Sequence, residues 1–280
     1  MISKKESAYV EEYKQSKSHR PMSVSERRKH IGKNLGFAAS EAYKLLRTNL
    51  IFSLTDEAEC KVIGVTSALR GEGKSTCSIN LAYSLAESGK RVLLMEADMR
   101  IPVLAATLHL EDKPGLSHVL AGISSLNEAV RESSLHPGML VLTAGEIPPN
   151  PSELLSSKRM EQVIEALAPA FEYIIVDLPP VNAVSDGLAV SKLMTGMIVV
   201  VRQDYSNQVS LAEAMRRMEL LDVKLLGFVL NDAEPPEKRY KKYGYKYTNG
   251  KYGYGKRAAG SQKADGSNVP PPVYKPEGTE

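Results

Sequence analysis

The chain is short of three things, and each shortage excludes a class of protein. Only two cysteines, Cys60 and Cys77, stand among its 280 residues. They form no CxxC pair, so the sequence offers neither a thiolate metal site nor a disulfide framework, and both read as buried thiols of a reduced cytoplasm. No apolar run approaches the roughly 18 residues of a membrane span, and the longest, around Met197–Val201, is strand-sized. The opening residues, MISKKESAYVEEYK, lack the apolar stretch of a secretory signal. The third shortage is local. Residues 237–257 carry one acidic side chain against eight basic ones.

Whole-chain arithmetic hides that imbalance, because 36 Lys+Arg against 33 Asp+Glu give a net charge of only +3. Residues 1–33 hold nine basic and four acidic side chains, a net of +5, while residues 34–236 hold 17 basic and 25 acidic, a net of −8. An acidic body therefore lies between basic segments of +5 and +7. Its hydrophobic content (42% of the whole chain) is that of an ordinary globular protein, and about 200 residues suffice to bury one core. The expected organisation is a flexible basic arm over 1–35, one folded domain over 36–233, and a tail over 234–280. That tail is too polar and too rich in Gly, Ser and Pro to bury a core and is expected to be disordered.

Within the body, strand-like and helix-like patterns alternate. Helical spacing begins near Ala39, with Ser40 as a plausible cap, in a segment that reads EAYKLLRTNLIFSL. Strands are expected at Lys61–Thr66, Arg91–Glu96, Met139–Thr143, Tyr173–Asp177, Gly196–Arg202 and Leu225–Leu230. A helix follows the first strand and closes at Gly89; others are expected near Lys158–Leu167, Asp186–Met194 and Gln208–Leu220. Continuous apolar strands separated by helices imply an α/β fold, with a mostly parallel sheet covered on both faces.

The chemistry collects at strand ends. Between the first strand and its helix lies Ala68-Leu69-Arg70-Gly71-Glu72-Gly73-Lys74-Ser75-Thr76. Gly71 and Gly73 let backbone amides curl around an anion at a helix N-terminus, Lys74 can reach β- and γ-phosphates, and the Ser75 hydroxyl suits Mg²⁺. The first glycine of the P-loop pattern is Ala68 here. Glu96 and Asp98 end the second strand two residues apart, so both point to one side. Asp177 ends the Tyr173–Asp177 strand, where a Walker-B acid would meet Mg²⁺ through water. Ligands of open parallel sheets gather at these carboxyl ends. The segment GEIPPNPSELL, residues 145–155, reads as a rigid loop with Ser152 capping the next helix.

Six of the 13 tyrosines, Tyr240, Tyr243, Tyr245, Tyr247, Tyr252 and Tyr254, fall in the basic tail among Lys and Gly. From the residues alone three readings stay open: a nucleic-acid segment that stacks bases, a low-complexity tail without set function, and a phosphorylation substrate. As a flexible coil, the stretch from Asp232 to Tyr254 reaches about 25 Å, enough for its own site or a neighbour's.

Taken in order, EAYKLLRTN, SALRGEGKST, VLLMEADMR, PPNPSELL, IIVDLPP and the terminal tyrosines resemble the bacterial tyrosine kinases of capsular and exopolysaccharide synthesis, in their separate cytoplasmic form. The resemblance spans roughly Ala39 to Tyr254. It implies a single P-loop NTPase domain that uses ATP and Mg²⁺ to phosphorylate tyrosine, chiefly the six in its own tail. Arg70, Gly71, Glu72, Gly73, Lys74, Ser75 and Thr76 would then hold the nucleotide, and Ser75, Asp98 and Asp177 the metal. Lys74, Asp98, Asp177 and Arg100 would be catalytic, with Asp98 accepting the tyrosine proton. The family motif Asp-x-Asp-x-Arg reads Glu96-Ala97-Asp98-Met99-Arg100 here. The oligomerisation motif Glu-x-x-Arg-x-x-Arg reads Glu41, Lys44, Arg47, so a homo-oligomeric ring is implied. Also implied are a separate membrane activator that holds the protein at the inner face of the cell membrane and an opposing tyrosine phosphatase; no nucleic-acid partner is implied. The rival reading is a partitioning- or positioning-type ATPase switch. Its signature lysine, five residues before the P-loop lysine, is replaced by Leu69 with Arg70 beside it. A third reading is a catalytically weak scaffold of the polysaccharide machinery.

Overall fold

The computed structural model of the chain describes residues 22–54 and 59–233. Residues 1–21 of the basic arm and 234–280, with the cluster of six tyrosines, lie outside the described residues.

Seven strands form one sheet: β1 (Lys61–Ser67), β2 (Val92–Glu96), β3 (Val130–Glu132), β4 (Met139–Leu142), β5 (Tyr173–Asp177), β6 (Gly196–Arg202) and β7 (Leu225–Asn231). Their order is β3-β4-β2-β5-β1-β6-β7, and every pair is parallel except β3 with β4. The six expected strands are present within one or two residues at either end. The seventh, β3, is a three-residue edge strand, too short to leave a periodic pattern in the sequence.

The helices are α1 (Val24–Arg28), α2 (Phe37–Ser53), α3 (Lys74–Glu87), α4 (Leu104–Leu108), α5 (Leu116–Ala121), α6 (Leu126–Ala129), α7 (Pro151–Leu155), α8 (Lys158–Leu167), α9 (Asp186–Ala189) and α10 (Gln208–Glu219). Alternate strand residues serve opposite faces of the sheet. Ile63, Val65, Leu94 and Ile175 face a core completed by Ile79, Leu81 and Leu85 of α3. Leu93, Met95, Ile174 and Val176 face a second core with Val163 of α8 and Met218 of α10. β2 and β5 are buried along their whole length, which is why they read as unbroken apolar runs up to their terminal acids, Glu96 and Asp177.

The boundary between arm and domain differs from expectation. Residues 22–35, assigned to the flexible arm, are folded onto the body. Ser23 and Glu26 close a capping box on α1, Ile31 is buried, and Asn80 of α3 binds the segment at two points. The Asn80 side chain accepts from Gly32 N–H at 2.9 Å and donates to His30 C=O at 2.9 Å. One apolar residue and polar tethers hold this stretch, so no helical or strand periodicity announced it.

Strand order places the site. β5 lies between β2 and β1, with Asp177 level with Val65 of β1 and with Glu96 of β2. The carboxyl ends of β1, β2 and β5 are therefore adjacent, and all three motifs open onto one edge of the sheet.

Candidate active site

The P-loop turns on two glycines in left-handed conformation, Gly71 (φ 90°) and Gly73 (φ 93°), the second standing as N-cap of α3. A β-carbon at either would be strained, and at Gly73 it would also lie 2.0 Å from Asn231 Nδ2. The Gly71 and Gly73 amides have no acceptor among the described residues. Two donors left open at the start of a 14-residue helix form a cradle for an anion.

Lys74 is buried and turned onto the acids. Its Nζ lies 2.8 Å from Asp98 Oδ2, 3.7 Å from Asp177 Oδ1 and 3.4 Å from Ser75 Oγ. Burial lowers the pKa of this ammonium, but the Asp177 and Asp98 carboxylates outweigh it and hold the group charged. Asp177 is fully buried. Burial raises its pKa against the opposing pull of Lys74 and hydrogen bonds from Ser75 and Ser78. Its Oδ2 has no partner. An orphaned carboxylate oxygen beside a serine hydroxyl suits Mg²⁺, which takes few protein ligands and keeps waters and phosphate oxygens. Among the described residues, no group of three or more His, Cys, Asp or Glu side chains is placed to hold a metal ion. Arg27 of α1 adds an unsatisfied cation. Its Nη1 is buried without a partner. Burial lowers its pKa, while Asp177 and Glu96 act to raise it. The open amides, the orphaned carboxylate oxygen and the unsatisfied Arg27 Nη1 together fit a magnesium-bound polyphosphate.

Two motif residues point elsewhere. The Glu72 carboxylate is folded under the loop, accepting from Leu69 N–H at 2.7 Å and from the Ser206 hydroxyl. Burial raises its pKa. Its side chain is a strut, and only its backbone can contribute to the cradle. Glu96, expected beside Asp98, is spent on backbone. One oxygen accepts from Leu104 N–H (2.8 Å) and Val103 N–H at the start of α4, the other from Ala144 N–H (3.2 Å) beyond β4. Burial drives its pKa up to about 7 despite those three amides. Of the two acids, Asp98 alone meets Lys74.

Arg100 is held rather than free. It pairs with the buried Asp186 through Nε (2.7 Å) and Nη2 (3.2 Å), and Ser152 of the GEIPPNPSELL segment donates to the same carboxylate. Burial acts to raise the Asp186 pKa, but Arg100 and Ser152 win and hold it low. Three loops, after β2, β4 and β5, are thus tied at one point. The ring-motif residues are also engaged within the chain. Lys44 pairs with Glu41 at 2.9 Å, and Arg47 donates to Ser84 C=O at 2.6 Å.

Sequence reasoning missed Tyr205, Ser206, Arg202 and Asn231, which grip the outside of the P-loop from the β6–α10 turn and the end of β7. They belong to no motif and lie more than 120 residues from the loop, so only strand order could have brought them to it.

The comparisons agree with this geometry. A family model described as an AAA domain matches residues 60–222. Tyrosine-protein kinase YwqD of Bacillus subtilis is 38% identical over 206 residues, covering 74% of this chain and 85% of that protein. Among solved structures, the kinase domain of Escherichia coli tyrosine kinase ETK matches with a TM-score of 0.69 and 29% identity, over 91% of this chain and 92% of that one. The chimerical protein CapA2B2 matches with a TM-score of 0.69 and 29% identity, over 82% of this chain and 99% of that one. A P-loop whose lysine sits on two strand-end aspartates, carried on a fold shared with these kinases, places the chain in the family of bacterial tyrosine-protein kinases.

Proposed function

We propose that this kinase transfers the γ-phosphoryl group of ATP chiefly to the tyrosines of its own tail, Tyr240, Tyr243, Tyr245, Tyr247, Tyr252 and Tyr254, and that it regulates capsular or exopolysaccharide synthesis. The observation that carries the site is the buried Lys74 resting on Asp98 and Asp177 beside two open amides. Arg70–Thr76, through Lys74 and the backbone, would hold the phosphates; Ser75, Asp98 and Asp177 would hold the ion. When bound, ATP supplies the phosphoryl group and Mg²⁺ neutralises charge on it.

The chain's own residues position and exchange charge. Lys74 must turn from Asp98 to meet phosphate, and that turn releases the Asp98 carboxylate to receive a tyrosine proton. A phenol of pKa about 10 is a poor match for a carboxylate, so the proton leaves late and positioning dominates. Arg100, fixed by Asp186 and Ser152, holds the loop that carries Asp98.

For partners, we propose a membrane activator on a separate chain, a homo-oligomeric ring through Glu41, Lys44 and Arg47, and an opposing phosphatase. Similarity to a chimera named for two components supports the activator. No helix among the described residues is long and apolar enough to cross a membrane, so membrane attachment at the inner face is assigned to that activator. Forming the ring requires Lys44 and Arg47 to exchange their present partners, and exposed Phe37, Leu45 and Phe52 on α2 offer apolar surface beside them.

The test is incubation of the full chain with labelled ATP and Mg²⁺, followed by mass spectrometry. Label on the six tail tyrosines, lost in Lys74→Met, is the expected result. Free phosphate without label would favour the ATPase switch, and phosphotyrosine unchanged in Lys74→Met would overturn the assignment.

A further inference from the structure

Three consecutive carbonyls of the P-loop each accept one hydrogen bond from outside the loop. Tyr205 Oη donates to Arg70 C=O at 2.7 Å, Arg202 Nη1 to Gly71 C=O at 3.3 Å, and Asn231 Nδ2 to Glu72 C=O at 2.9 Å. The donors come from two neighbouring places, the end of β6 with the turn after it and the end of β7. They also support one another. Arg202 stacks over the Tyr205 ring at 5.5 Å and pairs with Asp232 at 2.9 Å, and its own N–H donates to Ser206 Oγ at 2.8 Å. Ser206 in turn donates to the buried Glu72 carboxylate.

Peptide planarity converts these contacts into a statement about the other side of the loop. In a trans peptide, the C=O of one residue and the N–H of the next point in opposite directions. Fixing the carbonyls of Arg70, Gly71 and Glu72 outward therefore turns the N–H groups of Gly71, Glu72 and Gly73 away from the donors. A glycine-rich loop left to itself would sample many orientations of these peptides, because glycine is the residue least restricted in φ. Gly73 also admits the Asn231 amide, which a β-carbon there would displace.

We propose that Tyr205, Arg202 and Asn231 are positioning residues for phosphoryl transfer, which hold the P-loop peptides so that their amides are aimed at the phosphates before nucleotide arrives. This rests on the nucleotide reading of the P-loop given above. The ligand recognised is the diphosphate portion of a nucleotide, and none of the three residues needs to touch it. Preorganised donors cost nothing to orient at the moment of binding; loosened ones must be ordered then, at the expense of affinity.

The experiment measures binding of fluorescently labelled ADP and AMP to the full chain with Mg²⁺, for wild type, Tyr205→Phe and Asn231→Ala. Tyr205→Phe removes one neutral hydrogen bond and keeps the ring beneath Arg202, so it tests the proposal even should Asn231→Ala fold poorly. ADP affinity is expected to fall about three- to tenfold in each variant. AMP lacks the β-phosphate that the loop surrounds, so its affinity should move less than twofold, roughly within error. A merely structural loss would weaken both nucleotides alike. Equal losses for ADP and AMP, or ADP affinity unchanged in Tyr205→Phe, would overturn the proposal. Wild-type protein that fails to bind ADP would overturn the nucleotide reading itself, and this inference with it.

Discussion

At the scale of single residues, Glu96 shows how a carboxylate at a catalytic-looking position can be consumed by the fold. It ends β2 two residues before Asp98, yet it caps the start of α4 and the strand end beyond β4 through three amides. Its pKa is raised from 4.5 to about 7, burial being the larger effect. A carboxyl whose folded pKa exceeds its unfolded value is favoured protonated. Its contribution to stability is full below about pH 4.5 and is lost as pH rises through about 7, on the order of 3 kcal/mol in all. Glu96→Gln keeps one acceptor oxygen for Val103 and Leu104 but turns an amide NH₂ toward Ala144, a mismatch costing about 1–3 kcal/mol at every pH. Thermal melts between pH 4.5 and 7.5 are therefore expected to show wild type losing stability relative to this variant as pH rises. Parallel profiles would mean that Glu96 does not titrate in this window.

At the scale of elements, the sheet was legible because strand burial on both faces writes itself into unbroken apolar runs, as in Val92–Glu96 and Tyr173–Asp177. The P-loop was equally legible, since Gly71 and Gly73 supply conformations that other residues resist. What escaped was whatever the strand order assembles from distant pieces. Nothing local in Asp186 distinguishes it from a residue starting a short helix; its meaning comes from Arg100 and Ser152, which meet it across three loops. The grip of Tyr205 and Asn231 on the P-loop is invisible for the same reason. Residues 22–35 were misplaced because a single buried Ile31 and the Asn80 tethers leave no period to read. The three-loop tie carries its own expectation. Asp186→Asn keeps the volume but removes the charge that spans both Arg100 nitrogens, so the Asp98 loop loosens while the phosphate cradle is untouched. Tyrosine phosphorylation should fall about ten- to a hundredfold, with ADP affinity nearly unchanged. Steady-state kinetics beside ADP titration checks this, and a parallel loss of ADP binding would show instead that the tie supports the cradle.

At the scale of the whole molecule, the proposed phosphorylation of the tail would make the charge distribution a variable that the enzyme sets. The body over residues 34–236 carries 17 basic and 25 acidic side chains, and residues 237–257 carry eight and one. A segment of net +7 is attracted to bodies of net −8, its own or a neighbour's, over distances that salt limits to about 10 Å at 0.1 M. Each phosphotyrosine adds about −1.5 to −2, so four modifications bring that segment close to neutral. Attraction between a tail and the body it serves is then strongest before phosphorylation and weakest after it. Any assembly drawn together by tails should loosen as its tyrosines fill. The expectation is that, at low ionic strength, the unmodified chain sediments as a larger species than the fully phosphorylated chain, and that added salt narrows the difference. Lys74→Met, in which the proposed tail phosphorylation is lost, should stay in the larger form after incubation with ATP. Equal masses for both forms at low salt would show that assembly rests on surfaces other than the tail, the exposed apolar side of α2 foremost.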